Sequence, residues 1–301
     1  MKQKIKTIVV TGGEGFIGSN LINKLNSKLK NLKIISIDNG LSKQSNRIKA
    51  NKNNKIIYIK GHTKQIKSLL KKEKSIDTIF HFGEFSRIVK SFEHSEKCFS
   101  SNHTGTLEVI KFCSNNKIRI IYSASSSKFG NKGRDENLSP YSWTKSKNIE
   151  LIKNYAKWFN LDYEIVYFYN VYGPGQIRNG HMAAVIGIFE NCYLKGKPLT
   201  VIKPGTQKRD FTHVDDIING VMLAWKKKLN GEFMLGTNKN SSVIDIAKLF
   251  NHPIEYIGEK PGERLASTIP DINSQKRLGY KAQIKIEDYI KTFVKQNAKP
   301  K

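Results

Sequence analysis

Cysteine is scarce in this chain of 301 residues: Cys98, Cys113 and Cys192 are odd in number, and their spacing suits neither a disulfide framework nor a metal site. They read as free thiols of a reducing, cytoplasmic compartment. The histidines, His62, His81, His94, His103, His181, His213 and His252, include no pair at zinc-motif spacing, so no metal is expected. No apolar run approaches the roughly 20 residues that a bilayer-spanning helix needs, and no membrane partner is expected. The basic N-terminus leads into a brief apolar run, which reads as a strand and not as a signal peptide. Acidic residues are also few, 25 against 52 basic ones, for a formal charge of +27. Such a balance permits nucleic-acid or membrane-surface binding. Yet the lysines are spread throughout, in short clusters such as Lys71–Lys72 and Lys226–Lys228, with no long basic arm. Diffuse charge of this kind supports only weak, salt-sensitive binding, so a dedicated nucleic-acid role is not expected.

What the chain does have is concentrated first in Thr7 to Leu21, TIVVTGGEGFIGSNL. Ile8, Val9 and Val10 have the composition of a strand buried on both faces. Gly12, Gly15 and Gly18 follow at three-residue spacing, and Phe16, Ile17, Leu21, Ile22 and Leu25 then recur with helical period. A strand, a glycine turn and a helix start make an anion site, in which backbone N–H groups and the positive end of the helix dipole face a pyrophosphate. Lys33 to Ile37 reads as a second strand ending on Asp38, twenty residues after Gly18. A carboxylate there bonds both ribose hydroxyls of an adenosine and repels a 2′-phosphate, which selects NAD over NADP. Phe16, Ile17 and Asn39 complete this stretch of the expected dinucleotide site.

Further strands are predicted at Lys55 to Lys60, Asp77 to Phe82, Lys117 to Ser123 and Asp162 to Tyr169, with helices at Thr63 to Lys72, Phe92 to Asn115 and about Pro140 to Phe159. This alternation implies an α/β fold, a Rossmann-type doubly wound parallel sheet. From Gly173 the texture changes to a loop, helices near His181 to Leu194, Val214 to Lys227 and Val243 to Phe250, and short strands at Leu199 to Ile202 and Phe233 to Leu235. A smaller C-terminal α/β region over the open edge of the sheet fits this pattern. Ligands of such sheets bind outside the carboxyl ends of the strands, which singles out Gly83, Ser123 to Ser127 and Asn170.

Tyr141-Ser-Trp-Thr-Lys145 opens the helix after Pro140, and positions four apart share a helix face. A free phenol has a pKa of about 10, and lowering it to about 7 needs roughly 4 kcal/mol of differential stabilisation. An adjacent ammonium and a positive nicotinamide ring both act in that direction. Tyr141 would then take a proton from a sugar hydroxyl while hydride leaves the same carbon, with Ser125 bonded to that hydroxyl.

The segments TGGEGFIGSNL, SASSSKFG, SPYSWTK, YNVYGPGQ and GTQKRDFTHVDD resemble the extended short-chain dehydrogenase/reductases that act on nucleotide sugars, most closely the UDP-glucose 4-epimerase-type enzymes. The resemblance runs from Lys6 to about Gly279. It implies an NAD-binding domain over residues 1–172 carrying catalytic Ser125, Tyr141 and Lys145, with Lys145 also holding the nicotinamide ribose. Residues 173–301 would be mainly a nucleotide-sugar-binding region, with some chain returning to the sheet. It further implies cofactor contacts from Phe82, Gly83 and Asn102, and substrate contacts from Ser126, Asn170, Val201, Arg209, Lys260 and Glu263, with Arg264 a substitute for Lys260. Of these, Asn170 could instead cap a turn, Arg209 could pair with Asp210 or Asp215, and Lys260 could be plain solvated charge. A homodimer through a four-helix contact is implied, using Phe92 to Asn115 and Lys145 to Phe159.

Several positions depart from the family pattern. His62-Thr63 stands where an aspartate commonly holds adenine, and Tyr167 where an arginine is frequent. Gly83-Glu84-Phe85-Ser86-Arg87 replaces an alanine-rich segment, placing Glu84 and Arg87 near the sugar pocket, either paired with each other or reading an unusual sugar. Because Ser126 and Ser127 follow Ser125 where a 4,6-dehydratase has Asp-Glu, the expected reaction is NAD-dependent 4-epimerisation of a nucleotide-diphosphate sugar, UDP-linked by preference. A 4,6-dehydratase, with Glu84 as a displaced acid, or another oxidoreductase of the family is the alternative. A non-catalytic NAD-binding protein with nucleic-acid affinity is the distant one.

Overall fold

The β-branched run that opens the chain forms the centre of the fold. Strand β1 (Lys6–Thr11) sends Ile8 and Val10 to one side and Val9 to the other, all three fully buried, so helices must cover both faces. The computed structural model describes residues 5–42, 45–180, 182–259, 261, 269 and 271–298, and for 130–134 the backbone alone. Beside β1 lie β2 (Leu32–Asp38) and β3 (Lys55–Lys60), and on its other side β4 (Ile76–His81), β5 (Arg119–Ser125) and β6 (Tyr163–Phe168).

Two short strands, β7 (Leu199–Ile202) and β8 (Lys208–Asp210), precede β9 (Gly231–Leu235), which joins the edge of the main sheet beside β6. The order β3-β2-β1-β4-β5-β6-β9 is parallel throughout among the described residues, with Val9 level with Ile35 and with Ile79. The chain reverses direction across the sheet between β1 and β4, and the crevice at their carboxyl ends is where such a sheet receives ligands. Antiparallel β8 and β10 (Asn240–Ser242), and parallel β7 and β11 (Ile254–Ile257), form separate ribbons.

Helix α1 (Phe16–Lys28) covers one face of the sheet with a later helix, Val214–Lys227, through Leu21, Ile22, Leu25, Ile217, Val221 and Trp225. The other face is covered from Ile66, Ile110, Ile149 and Ile152. The helices there are α2 (Ile66–Leu69), α3 (Ile88–Glu93), α4 (Ser95–Cys98), α5 (Thr106–Asn115) and α6 (Pro140–Phe159). The continuous helix expected from Phe92 to Asn115 is thus broken. Phe99–Gly105 winds as a wide π-type stretch between α4 and α5, with Ser101, Asn102 and Gly105 buried. The expected helix at Thr63 to Lys72 is a 3₁₀ turn, Thr63–Gln65, followed by the single turn of α2.

Beyond the sheet, α7 (Val185–Leu194), α8 (the Val214–Lys227 helix), α9 (Val243–Lys248), α10 (Ile272–Leu278) and α11 (Ile286–Asn297) complete the chain. A third core joins Phe189, Val201, Phe250, Ile290 and Phe293 across α7, β7 and α11. No helix among the described residues is long and apolar enough to cross a membrane. No group of three metal-binding side chains occurs among them.

Candidate active site

The glycine turn after β1 is shaped by two contacts that only glycine permits. Gly12 has φ +69°, and a Cβ on it would lie 2.9 Å from the Gly83 backbone. A Cβ on Gly18 would lie 2.1 Å from the Gly12 carbonyl oxygen, so α1 can approach β1 only without a side chain there. Gly15 caps α1 without a side-chain acceptor, which leaves first-turn N–H groups to an anion. Gly12, Gly15, Phe16, Ile17 and Gly18 line one end of a cleft of about 710 Å³ at the sheet's switch point. A dinucleotide's pyrophosphate fits this cradle.

Asp38, at the end of β2, lines the same end with Asn39. Its carboxylate accepts from Glu14 N at 3.1 Å and Gly40 N at 2.9 Å, and burial raises its pKa. Glu14, within the glycine turn, is tied to Arg47 at 3.0 Å and to Ser45. Burial alone would raise the Glu14 carboxyl, but these partners hold it below the usual carboxylate range. His62 caps the 3₁₀ turn, its Nδ1 accepting from Lys64 N at 3.1 Å, while its neighbours Gly61 and Thr63 face the cleft.

Behind Phe82 and Gly83, which also line the cleft, hydrogen bonds fix one direction of donation. Thr11 Oγ1 accepts from Phe82 N at 3.1 Å and Gly83 N at 3.0 Å. Its own proton therefore goes to His81 Nδ1, at 2.7 Å. Thr106 Oγ1 donates to Glu84 Oε1 at 2.8 Å and so must accept from His81 Nε2, also at 2.8 Å. The network thereby assigns His81 its Nε2–H tautomer. Burial pushes the His81 pKa down to about 4, which keeps the ring neutral.

The chain of donors ends on Glu84, whose side chain is 1% exposed. Its carboxylate also receives Tyr122 OH at 3.1 Å, Asn148 Nδ2 at 3.0 Å and the Lys145 ammonium. This corrects the expectation that Glu84 either pairs with Arg87 or reads the sugar: the carboxylate points back into the wall, toward the stronger set of donors. Arg87 lines the cleft separately and donates to the Ser86 carbonyl at 2.8 Å and to the Met182 carbonyl. Burial pushes its pKa down to about 10.

Helix α6 starts sharply because Ser139 caps it, accepting from Ser142 N at 3.0 Å, and Pro140 occupies its first turn. Tyr141 N donates to Ser91 Oγ of α3 at 3.2 Å, which seats this first turn against the neighbouring helix. Tyr141 and Lys145 both face the cleft. Lys145 Nζ donates to the Ser123 carbonyl at 2.6 Å and lies 4.8 Å from the centre of the Tyr122 ring. Ser125 and Ser126 line the cleft at the end of β5, where Ser125 Oγ accepts from Ser127 N at 3.2 Å. The Ser, Tyr and Lys that sequence spacing selects are therefore brought together at one place.

At the other end, Asn170 and Arg209 line the cleft, with Asn170 Nδ2 donating to the Asp210 carbonyl at 2.9 Å. Arg209 Nη1 donates to the Lys208 carbonyl at 3.0 Å. Two expected contacts are displaced. Val201 is fully buried in the third core, because β7 alternates and turns Thr200 and Ile202 to the cleft instead. Asn102 is fully buried one layer behind the cleft, where it accepts from Phe85 N at 2.7 Å and donates to the Phe85 carbonyl at 3.0 Å. It steadies the segment carrying Glu84 and does not line the cleft. Lys260, Glu263 and Arg264 lie outside the described residues, as does His181. Gln207, buried against the cleft and donating to the Ile202 carbonyl at 3.1 Å, was not singled out by sequence; its place two residues before Arg209 is the signal that pointed to it.

Comparison with known proteins agrees with this geometry. A sequence model of the NAD dependent epimerase/dehydratase family matches residues 8–236. The chain is 29% identical to a dTDP-D-glucose 4,6-dehydratase of Dictyostelium discoideum, over 81% of this chain and 61% of that one. It is 27% identical to a UDP-N-acetyl-alpha-D-glucosaminuronate decarboxylase of Bacillus cytotoxicus, over 91% of each. Among solved structures, it superposes with a TM-score of 0.84 and 28% identity on a UDP-N-acetylglucosamine 4-epimerase of Methanobrevibacter ruminantium M1 in complex with UDP-N-acetylmuramic acid, covering 97% of this chain and 98% of that one. With the glycine cradle, Asp38 and the Ser125, Tyr141 and Lys145 set in place, this chain belongs to the NAD-dependent epimerase/dehydratase family, with NAD as its cofactor.

Proposed function

We propose that the protein is a nucleotide-sugar 4-epimerase. The observation that carries this reading is the disposition of acids around the cleft. Among the described lining residues the carboxylates are Asp38 and Glu84. Asp38 is bound by backbone N–H groups at the adenosine end, and Glu84 is held in the wall by Lys145, Thr106, Tyr122 and Asn148. Neither is placed to protonate a leaving hydroxyl, as a 4,6-dehydratase requires. Ser126, after Ser125, adds only a hydroxyl.

NAD, when bound, supplies the hydride acceptor and later the donor. Tyr141 takes the proton of the sugar C4 hydroxyl, and Ser125 bonds the oxygen as it becomes a carbonyl. After the 4-keto sugar turns over in the cleft, Tyr141 would return the proton to the C4 oxygen, with the opposite face of C4 presented for reduction. Atoms and electrons balance, and the net change is inversion at C4. Arg209 and Asn170 would hold the diphosphate, a guanidinium fork suiting phosphate oxygens. Thr200, Ile202 and Gln207 would surround the base, and a UDP-linked sugar is the favoured substrate.

The test is incubation with a panel of nucleotide sugars, with products examined by NMR. A product that keeps every oxygen and is inverted at C4 supports the proposal; a 4-keto-6-deoxy product overturns it. We also infer a homodimer through α6 and its neighbours, where Trp158 is 61% exposed and Phe99, 39% exposed, packs on Trp143 at 5.7 Å between ring centres. Sedimentation as a monomer at micromolar concentration would exclude it. The three free thiols, Cys98 and Cys113 among them buried, suit a cytoplasmic location.

A further inference from the structure

The epimerase cycle leaves a buried carboxylate at the cleft wall without a task. Glu84 belongs to none of the steps above, yet its carboxylate gathers donors from three elements: Thr106 of α5, Tyr122 of β5, and Asn148 and Lys145 of α6. Burying an ion pair is a poor way to add stability, since a well-packed apolar pair serves as well. The arrangement fits a different purpose. An ammonium has three N–H donors. Glu84 Oε2 takes one and the Ser123 carbonyl a second at 2.6 Å, which leaves the third for the cleft that Lys145 lines. The carboxylate is itself fixed through Thr106, His81 and Thr11 to the backbone at Phe82 and Gly83, beside the glycine turn. The other titratable groups facing it are His81, Cys98 and Tyr122, with Tyr141 acting on Tyr122 beyond them.

We propose that Glu84 is a positioning residue whose carboxylate fixes the Lys145 ammonium so that its remaining N–H is set for the cofactor's ribose. The inference rests on the reading of Lys145 as the lysine that holds the cofactor. It makes the Glu84–Lys145 pair one unit, rigidly linked to the turn that takes the pyrophosphate.

A double-mutant cycle in NAD affinity tests this, read by calorimetry on protein without sugar. Glu84→Gln keeps an acceptor for Thr106 and Tyr122 but sets an amide donor against the ammonium. Losing a charge-assisted contact weakens NAD binding about tenfold in Glu84→Gln and by a similar factor in Lys145→Met. The double variant shows no further loss, because Glu84 acts through Lys145. Additive losses, or unchanged affinity in Glu84→Gln with the fold intact by thermal melting, overturn the proposal. Should Glu84→Gln not fold, Glu84→Asp keeps the charge and withdraws it by one methylene; weaker NAD binding then supports the proposal and wild-type affinity sinks it. A sugar panel without turnover would remove the epimerase reading and leave this cycle valid, and an additive cycle would do the reverse.

Discussion

His81 Nδ1 lies 2.7 Å from Thr11 Oγ1, with both residues fully buried between β1 and β4. The threonine oxygen already accepts two backbone N–H groups, so a protonated imidazole would bring a third donor to it with no proton acceptor in return. The folded protein therefore holds the ring neutral, its pKa pushed by burial from 6.5 to about 4. The sign follows from linkage: the stabilisation is fully present above about pH 6.5 and is lost as pH falls toward 4. The full displacement corresponds to about 3 kcal/mol. Melting curves of wild type and His81→Gln between pH 7 and pH 4 check this. The variant is less stable at pH 7, and its melting temperature falls less steeply below pH 6.5. Parallel curves would refute the account.

Gly18→Ala should cost both fold and cofactor. The added Cβ would lie 2.1 Å from the Gly12 carbonyl oxygen and 2.9 Å from Gly13 Cα, backbone atoms that can move only if α1 leaves the turn. Overpacking of this kind costs about 1–3 kcal/mol, and separation of the turn from the helix start removes the anion cradle. Urea unfolding and NAD calorimetry read the two effects. Gly258→Ala is the control, since a Cβ there meets nothing within 4 Å; its stability should stay within about 0.5 kcal/mol of wild type.

The parts of the site that were legible in sequence are those whose meaning is local. Strand, glycine turn and helix start occupy consecutive residues, and Tyr141 and Lys145 are one helical turn apart, so spacing alone places them. Val201 was misassigned because a four-residue strand gives too few alternations to show which face meets the core. Asn102 is placed at the cofactor by the family resemblance alone, which cannot report that the π-type stretch Phe99–Gly105 buries it behind the cleft. The role of Glu84 depends on Thr106, Tyr122, Asn148 and Lys145, brought together from residues 22 to 64 positions away, and no local rule reports such a meeting. The same limit hid β8 and β10, three residues each, which exist only by pairing with one another.

Asp38→Asn should narrow the preference for NAD over NADP. The amide keeps one acceptor oxygen for Gly40 N or Glu14 N and gives up the other bond, and the charge that repels a 2′-phosphate is gone. Loss of charge-assisted bonding to the ribose hydroxyls weakens NAD binding about tenfold. NADP affinity should stay level or rise. Paired calorimetric titrations measure the ratio, and an unchanged ratio would show that Asp38 does not face the ribose.

Tyr141→Phe separates chemistry from structure most cleanly. Tyr141 is seated by its backbone N–H on Ser91 Oγ at 3.2 Å and by the Ser139 cap, neither of which the substitution touches. Only the hydroxyl is removed, so the melting temperature and NAD affinity should be close to those of wild type. Turnover should fall about 10²- to 10⁴-fold, the usual range for loss of a positioned acid–base group. Ser125→Ala behaves differently, because Ser125 Oγ also accepts from Ser127 N at 3.2 Å at the start of the following 3₁₀ segment. It should lose turnover together with about 0.5–2 kcal/mol of stability. If Tyr141→Phe retained full turnover on the sugar identified in the NMR panel, the proton would have to pass through another group, and the phenol would not be the base.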